Sequence, residues 1–166
     1  MTVERLEVLL ATPDDAPAIA DMSRNLVESG LSWQWKPAAV ARQIHRKDTE
    51  VIVARRNKRI EGFAIMRFRE DDAHLLLLAV EPFAQRIGIG RSMLAWLEES
   101  ARVAGTFFVH LEVRVSEQGA RQFYRALGYR ERGRVDGYYQ QKEAAILMTK
   151  DLRIVRQTPT KNVSNL

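Results

Sequence analysis

A short glycine-containing turn is the part of the sequence whose residue types and spacing suggest binding chemistry most directly. Gly88 and Gly90 follow an apolar run that ends at Val80 and lead into a segment with helical periodicity. A helix N-terminus presents unpaired N–H groups with about half a positive charge, and glycine lets a phosphate approach that backbone closely. The turn therefore predicts an anion site that Arg86 and Arg91 can strengthen, or else a strand-to-helix connection that merely needs glycine.

Two common nucleotide motifs fit this turn poorly. A P-loop requires a longer spacing between its glycines and then Lys followed by Ser or Thr, whereas Arg91 and Ser92 follow Gly90 here. A dinucleotide fingerprint requires three glycines early in a doubly wound domain, whereas this turn has two and lies in mid-chain.

An acidic residue and a tyrosine further along the chain have side chains suited to proton transfer. Glu112 interrupts an apolar predicted strand, and alternation places it on one face with Phe108, His110 and Arg114. Its carboxylate can either accept a proton or pair with Arg114. Tyr124 lies on a helical apolar stripe, where a tyrosine commonly packs in the core with its hydroxyl at the edge. Glu81, at the end of a strand, is a second candidate base or a solvated strand end.

The composition limits the chemistry. The chain has 166 residues, 46% of them hydrophobic, which suits a single domain over residues 1–156 with a flexible tail at 157–166. The sequence has no cysteine, which excludes a disulfide framework, a thiol nucleophile and Cys-ligated zinc. The histidines, His45, His74 and His110, have no spacing that suggests a metal site, so no metal is expected.

Charge and hydropathy bear on partners and location. The formal net charge of +5 is scattered, which suits an anionic small molecule and gives no reason to expect nucleic acid. Residues 1–10 contain three charged side chains and so lack a signal-peptide core. The longest apolar run, 75–80, is far shorter than the about 20 residues that span a bilayer. A cytoplasmic monomer or homodimer is predicted.

Periodicity and turn residues predict seven strands and four helices in the order β-α-α-β-β-β-α-β-α-β-β. The first helix starts after Thr12 and ends by Gly30, and the last is capped by Ser116 and ended by Gly128. The run 75–80 does not alternate, which predicts a strand covered on both faces. The order predicts a mixed α/β domain with antiparallel N-terminal strands and a central parallel pair.

Residues 85–90, Gln-Arg-Ile-Gly-Ile-Gly, resemble the Q/R-x-x-G-x-G/A signature of the GNAT superfamily of N-acetyltransferases. The Leu-Ala-Val-Glu-Pro at 78–82 is similar to the strand that pairs with the pantetheine arm of CoA. Segments 111–116 and 123–129, with Tyr138-Tyr139, resemble the bacterial ribosomal-protein alanine N-acetyltransferases, whose pattern runs L-E-V-R-x-S-N, L-Y-x-x-L-G-F and Y-Y. The superfamily similarity covers residues 5–152, and the narrower one covers 111–139.

The resemblance implies a GNAT-like mixed sheet whose central parallel strands splay around acetyl-CoA. Glu117 stands where the family has an Asn that contacts the pantetheine chain. The implied cofactor-binding residues are Leu78, Ala79 and Val80 along the strand, Gln85, Arg86, Ile87, Gly88, Ile89, Gly90, Arg91 and Ser92 around the pyrophosphate, and Glu117.

The resemblance also implies catalytic roles. Glu112 matches the family's general base, and Tyr124 matches the general acid that protonates the departing CoA thiolate. Backbone N–H groups near residues 78–80 are expected to polarise the thioester carbonyl, as an oxyanion hole does.

The acceptor amine is left open by the sequence. Tyr138 and Tyr139 can hold a peptide, which favours a protein N-terminus, or can be core or exposed hairpin aromatics. Trp33 and Trp35 can line the acceptor pocket or fill the core. The alternatives are an acetyltransferase for a small amine, such as a polyamine, amino acid or drug, and a non-catalytic CoA-binding module.

Overall fold

The computed structural model describes residues 4–154 and has the predicted order of seven strands and four helices. The strands are β1 (Leu6–Leu10), β2 (Thr49–Arg56), β3 (Arg59–Phe68), β4 (Asp72–Val80), β5 (Phe108–Arg114), β6 (Arg130–Tyr139) and β7 (Glu143–Asp151). The helices are α1 (Ala16–Met22), α2 (Pro37–His45), α3 (Ile89–Val103) and α4 (Gln118–Ala126), with 3₁₀ turns at Pro13–Asp15 and Pro82–Ala84 and a π-helical turn at Ser23–Val27. The predicted tail, 157–166, lies outside the described residues.

The strands form one mixed sheet in the order β1-β2-β3-β4-β5-β7-β6. Strands β1 to β4 are antiparallel neighbours, whereas β4 and β5 are parallel and are joined through α3. Strand β7 lies between β5 and β6 and is antiparallel to both. The predicted antiparallel N-terminal strands and central parallel pair are confirmed.

Strands β4 and β5 separate soon after they begin. They pair with each other only at residues 72–74 of β4 and 108–110 of β5, so His74 is the last residue of β4 that pairs with β5. Just beyond, Ile65 of β3 is opposite Leu77 and Met66 is opposite Leu75, so Leu76 is the extra residue of a β-bulge. A bulge bends its strand and increases the local twist. The result is the β4–β5 opening, bounded by residues 75–80 of β4 and 111–114 of β5, and the predicted splay is confirmed.

The sheet has a hydrophobic core on each face. Helices α3 and α4 cover one face, where Leu75 of β4 and Leu111 of β5 are buried. Helices α1 and α2 cover the other face, where Leu77 of β4 is buried. Each fully buried aliphatic side chain contributes roughly 1.5–3 kcal/mol. The prediction that β4 is covered on both faces is confirmed, and this cover explains why its apolar run does not alternate.

Local signals set the ends of two helical segments as predicted. The backbone N–H of Thr12 donates to the Asp15 carboxylate at 2.9 Å, which caps the turn leading into α1. Gly128 follows α4 with a φ of 97°, the left-handed conformation that ends helices. The predicted Ser116 cap is wrong, because the N-cap of α4 is Glu117 and the Ser116 hydroxyl donates to Glu143 of β7. Within residues 4–154, no helix is long and apolar enough to cross a bilayer.

Candidate active site

The glycine turn lies between the end of β4 and the start of α3, as predicted. Gly88 occupies the N-cap of α3 with a φ of 90°, and Arg86 has a φ of 65°, which is uncommon for a residue with a side chain. The Gln85 side chain donates through Nε2 to the Val80 carbonyl oxygen at 3.0 Å. The turn is therefore anchored to β4, while residues 85–88 are exposed.

The backbone donors of this turn fit an anion. Within the described residues, the six N–H groups from residue 86 to residue 91 have no hydrogen-bond acceptor, and the Ser92 N–H is the first to bond, to the Gly88 carbonyl at 3.0 Å. Exposed Arg86 and Arg91 side chains add positive charge beside the positive end of a 15-residue helix. The Ile89 side chain is buried in the core, so only its backbone faces outward. This donor set suits a diphosphate such as that of CoA.

Gly90 is needed for helix packing as well. A Cβ at this position would lie 3.2 Å from Cζ of the Phe123 ring, which belongs to α4, and 3.7 Å from a methyl group of Val80. The two glycines of the motif thus have different physical reasons: Gly88 supplies a left-handed backbone, and Gly90 lets α3 and α4 come close together beside β4.

The residues of β4 that face the opening provide backbone hydrogen-bonding groups. Leu78 and Val80 pack their half-buried side chains towards α3 and α4, while the Ala79 side chain is buried on the other face. On one edge of residues 75–80, the main-chain groups pair with β3. On the other edge, the pairing with β5 has ended at His74. Main-chain groups on the second edge are therefore available to the amides of an extended ligand, as predicted for the pantetheine arm.

Glu112 points to the α1–α2 face of the sheet and contacts His74 of β4. Its Oε2 lies 2.5 Å from Nε2 of His74, and its side chain is 21% exposed. The alternative that Glu112 pairs with Arg114 is wrong. Arg114 instead bonds to Glu143 at 2.5 Å and to the carbonyl oxygens of Val27 and Ser29.

Tyr124 lies on the opposite face of the sheet, in the core formed by α3, α4 and β5. Its ring makes edge contacts with Phe123 and Tyr129, at centroid separations of 5.1 and 5.6 Å. Burial raises the pKa of the Tyr124 phenol well above its ordinary value, so the group stays protonated at neutral pH. No hydrogen bond to its hydroxyl is present among residues 4–154, so the phenolic proton is not committed to another protein group in that part of the chain.

The two tyrosines at the end of β6 stand close to Glu112. The rings of Tyr138 and Tyr139 meet edge to face with centroids 4.9 Å apart. Burial first, and then neighbouring negative charge that includes the Glu112 carboxylate, raises the pKa of both phenols. Tyr138 is 46% exposed, so the pair forms an accessible aromatic wall beside the predicted base.

The loop between α1 and α2 is tied to the turn that follows β6. The Ser32 N–H donates to Oε1 of Gln140 at 2.8 Å, and Nε2 of Gln140 donates to the Ser32 carbonyl at 3.0 Å. Inside the loop, the buried Glu28 carboxylate accepts from the backbone N–H groups of Gln34 and Trp35. The two segments thereby flank the face on which Glu112 lies.

Trp33 packs against the core, one of the two roles that its sequence position allowed, and a place in the acceptor pocket stays a prediction. It packs, half-buried, against the core under α1 and α2, and the Arg24 guanidinium lies 5.0 Å from its ring centroid. Trp35 packs against the same core. Both indoles therefore support the loop that borders the predicted acceptor pocket.

The remaining candidates take no direct part in the polar contacts of Glu112. Glu117 is exposed at the start of α4, where its carbonyl accepts the Arg121 N–H. Glu81 begins the 3₁₀ turn after β4, and its N–H bonds to the Glu61 carbonyl. His110 bonds to Thr149 at 2.8 Å and lies 3.4 Å from Asp72. In the part of the chain that the structure describes, no group of three acidic or histidine side chains is placed to hold a metal ion.

Sequence reasoning missed the partnership of His74 and the contact of Gln140. A signal for His74 existed: it directly precedes the apolar run of β4, and a parallel β4–β5 pair would bring it beside the polar face of β5. Its register partner in β5 is His110, two residues before Glu112. The Gln140 contact depends on how a hairpin turn reaches a loop 108 residues away, which no local pattern encodes.

Comparison with known proteins bears directly on this arrangement. The family model of the acetyltransferase (GNAT) domain matches residues 18–150. The ribosomal protein bS18-alanine N-acetyltransferase of Salmonella typhimurium is 38% identical over 93 residues, which are 54% of this chain and 63% of that protein. An uncharacterized N-acetyltransferase of Methanocaldococcus jannaschii is 37% identical over 99 residues, 59% of this chain and 64% of the relative. The chain thus spans somewhat less than two thirds of these curated relatives.

Solved structures resemble the whole fold. The crystal structure of the ribosomal-protein-S18-alanine N-acetyltransferase from Escherichia coli has a TM-score of 0.78 and 25% identity, covering 93% of this chain and 98% of that one. The PaiA N-acetyltransferase of Thermoplasma acidophilum, solved with coenzyme A, has a TM-score of 0.77 at 20% identity and covers 89% and 99% of the two chains. At 20% identity, the similarity to the PaiA structure shows a shared fold alone.

Proposed function

Because the chain belongs to the GNAT family of N-acetyltransferases, which use acetyl-CoA, we propose that it acetylates the α-amine at the N-terminus of a protein or peptide. Glu112 acts as the general base and Tyr124 as the general acid. The pyrophosphate of acetyl-CoA binds at the turn formed by residues 85–92.

One observation carries this proposal. Glu112 and Tyr124 lie on opposite faces of the sheet. Glu112 follows the point where the pairing of β4 with β5 ends, and Tyr124 belongs to the buried cluster that also contains Leu111 of β5. A thioester in the β4–β5 opening would be reached by an amine from the Glu112 side and by a phenolic proton from the Tyr124 side. Direct transfer to an amine requires a proton acceptor and a separate proton donor, since the nucleophile loses a proton and the leaving group gains one.

The reaction starts with loss of a proton from the acceptor ammonium group to Glu112. An α-amine has an ordinary pKa of about 8 and a lysine amine about 10.4, so a carboxylate base suffices more readily for the former. The neutral amine then attacks the thioester carbonyl carbon, the N–C bond forms and the C–S bond breaks. The departing thiolate takes the proton of Tyr124, whose raised pKa keeps the phenol protonated until that moment. The nitrogen loses its second proton to solvent as the amide forms, and the Tyr124 phenolate is reprotonated from solvent, so the net product besides the amide and CoA thiol is the proton held by Glu112.

The backbone supplies binding and polarisation. On the open edge of β4, the main-chain groups of Leu78 and the N–H of Val80 hold the amides of the pantetheine arm, and an N–H there polarises the thioester carbonyl. Ala79, between them, directs its main-chain groups to β3. The N–H groups at residues 86–91 bind the diphosphate, with Arg86 and Arg91 nearby. The bond from Gln85 to the Val80 carbonyl keeps these two parts of the site in register.

The acceptor side favours a peptide. The rings of Tyr138 and Tyr139 lie next to Glu112. Two hydrogen bonds between Ser32 and Gln140 hold the loop after α1 against the turn after β6, beside the same face of the sheet. Trp33 supports the loop that carries Ser32. Support also comes from relatives named for acetylation of ribosomal protein bS18 at alanine and from the N-terminal acetyltransferase B catalytic subunit of Schizosaccharomyces pombe, 39% identical over 71 residues.

A panel of acceptors tests this proposal. Peptides with free N-termini that differ in their first residue are compared with polyamines, free amino acids and aminoglycosides, and CoA release is followed at fixed acetyl-CoA. We expect kcat/KM for at least one peptide to exceed that of every small amine. Faster turnover of a small amine than of any peptide would assign the enzyme to small-molecule acetylation instead.

A further inference from the structure

Arg114 is the last residue of β5 and lies on the same face of the sheet as Glu112, two positions further along the strand. Its Nε donates to Oε2 of Glu143 at 2.5 Å. Its Nη1 donates to two carbonyl oxygens of the segment after α1, that of Val27 at 3.2 Å and that of Ser29 at 2.7 Å. One guanidinium group therefore joins β5, β7 and a segment that lies 85 to 87 residues earlier in the chain.

The segment that Arg114 holds begins the acceptor loop, residues 27–36, which leads from the π-helical turn to α2. Gly30, with a φ of 79°, brings this loop close to the guanidinium, since a Cβ on Gly30 would lie 4.0 Å from Nη2 of Arg114. Among residues 4–154, the hydrogen bonds that connect the acceptor loop to the sheet and its turns are those of Arg114 and those between Ser32 and Gln140. The Ser32 bonds are exposed, so Arg114 provides the more sheltered of the two connections.

The pair formed by Arg114 and Glu143 is well suited to hold a loop. Only 19% of the Arg114 side chain and 14% of the Glu143 side chain is exposed. Oε1 of Glu143 also accepts the Ser116 N–H at 3.0 Å and the Ser116 hydroxyl, so the carboxylate is itself fixed in place. Charge-assisted hydrogen bonds of this kind are stronger than neutral ones, and the planar guanidinium can serve several acceptors at once.

This connection lies next to the proposed acceptor site. Tyr139 is the register partner of Glu143. Burial is the first cause that raises the pKa of the Tyr139 phenol, and the charges of Glu112 and Arg114 are near enough to act on the same group. Arg114 thus joins the acceptor loop to the strands that carry the proposed base and the aromatic pair of β6.

We propose that Arg114 is a positioning residue for the acceptor peptide, an inference that rests on the proposed acetylation of peptide N-termini. By holding the acceptor loop against β5, Arg114 fixes the surface that a peptide meets as its chain leads away from Glu112. A peptide of several residues contacts this surface, whereas a small amine reaches Glu112 without it. The contribution of Arg114 therefore lies in KM for peptides rather than in kcat or in the binding of acetyl-CoA.

Arg114→Lys tests this role while keeping the positive charge. An ammonium group lacks the planar fork that serves Glu143 and two carbonyl oxygens together. We expect KM for a peptide to rise by roughly tenfold, with kcat changed by less than about threefold and the Kd of acetyl-CoA unchanged. For glycinamide, which has an α-amine but no following residue, kcat/KM should keep its wild-type value.

Arg134→Lys is the matched control. Arg134 also bonds to a carboxylate, that of Asp136, but both residues belong to β6 and both are exposed. This variant should retain the wild-type KM for the peptide. Glu143→Gln is a second test in case urea unfolding finds Arg114→Lys unfolded: it keeps an acceptor oxygen for Ser116, removes the charge that holds the guanidinium, and should raise the same KM.

Hydrogen exchange gives a readout that does not depend on turnover. In the acceptor loop, the Leu31 N–H bonds to the carbonyl oxygen of Glu28, and the N–H groups of Gln34 and Trp35 bond to its carboxylate. These amides should exchange several-fold faster in Arg114→Lys than in wild type, while the amides of β3 should keep their wild-type rates. Equal exchange in the two proteins would overturn the holding role of Arg114.

The kinetic results separate failure of this inference from failure of the proposed function. If wild type acetylates the peptide and Arg114→Lys does so with the wild-type KM, the positioning role is overturned while the function stands. A loss confined to kcat, or an equal loss with the peptide and with glycinamide, would overturn it as well. If wild type acetylates no peptide, the proposed function and the role of Arg114 fall together.

Discussion

Glu112 and Tyr124 lie on opposite faces of the sheet, one partly exposed beside His74 and the other buried against Phe123 and Tyr129. Alternation along β5 produces this arrangement, because Leu111 and Val113 point into the core that contains Tyr124 while Glu112 points away from it. The two groups proposed to transfer protons are thereby kept on separate faces of the sheet.

Tyr124→Phe should lower kcat by about 10²-fold or more without weakening acetyl-CoA binding, because it removes the proton donor and keeps the ring. Steady-state kinetics and calorimetric titration with acetyl-CoA measure the two quantities. Tyr129→Phe is the matched control: its hydroxyl is buried without a partner, and its removal should leave turnover unchanged and stability equal or higher. Equal activity of the two variants would make Tyr124 a packing residue.

The buried phenols also predict how stability depends on pH. Burial raises the pKa of Tyr124 and Tyr129 in the folded protein above the ordinary value near 10, so above that pH the unfolded chain releases these protons first. The free energy of unfolding should therefore fall as pH rises beyond about 10, with each phenol contributing a slope of about 1.4 kcal/mol per pH unit. Urea titrations between pH 8 and about 11 should show a shallower decline in Tyr124→Phe than in wild type. Identical slopes would argue against a buried, protonated Tyr124.

Glu112→Gln should slow acetylation most at low pH. Without a base, only the fraction of the acceptor that is already neutral in solution reacts, so below the amine pKa of about 8 the variant's rate should rise about tenfold per pH unit. The measurement is kcat/KM for one peptide from pH 6 to about 9 in wild type and variant. A variant profile parallel to that of wild type would contradict the base role, and slow turnover of Glu81→Gln in the same assay would assign it to Glu81.

Gly88→Ala should weaken acetyl-CoA binding. The φ of 90° at this N-cap is strained for alanine by roughly 1–2 kcal/mol, and relief of that strain would turn backbone N–H groups away from the diphosphate. Calorimetric titration gives the affinity and urea unfolding gives the stability. Gly119→Ala is the control, since Gly119 lies inside α4 with open space around it and should gain about 0.5–1 kcal/mol with unchanged affinity. Unaltered binding by Gly88→Ala would remove the turn from the cofactor site.

Local patterns were sufficient to predict the order of the elements and the position of the glycine turn. Thr12, Gly88 and Gly128 each act through their own backbone or that of near neighbours, so their signals are readable in the sequence. The Ser116 cap was wrong because Glu143, brought alongside by β7, competes for the same hydroxyl. That competition arises only once the sheet has formed.

The polar partnerships of the site depend on strand register rather than on local sequence. The sequence placed Glu112 and Arg114 on one face, and that placement is correct, but the partner of each comes from another strand: His74 from β4 and Glu143 from β7. How far β4 and β5 remain paired, and where Leu76 bulges out, likewise depends on packing on both faces of the sheet.

Acetylation of an N-terminal α-amine is tested by mapping the acetyl group on a peptide that has both a free N-terminus and an internal lysine. The peptide is incubated with acetyl-CoA and the enzyme, and the product is sequenced by tandem mass spectrometry alongside reactions with Tyr124→Phe and Glu112→Gln. We expect one acetyl group on the α-amine, CoA released in equal amount, and little product with either variant. Acetylation confined to the lysine, or undiminished α-amine acetylation by both variants, would contradict the proposed function.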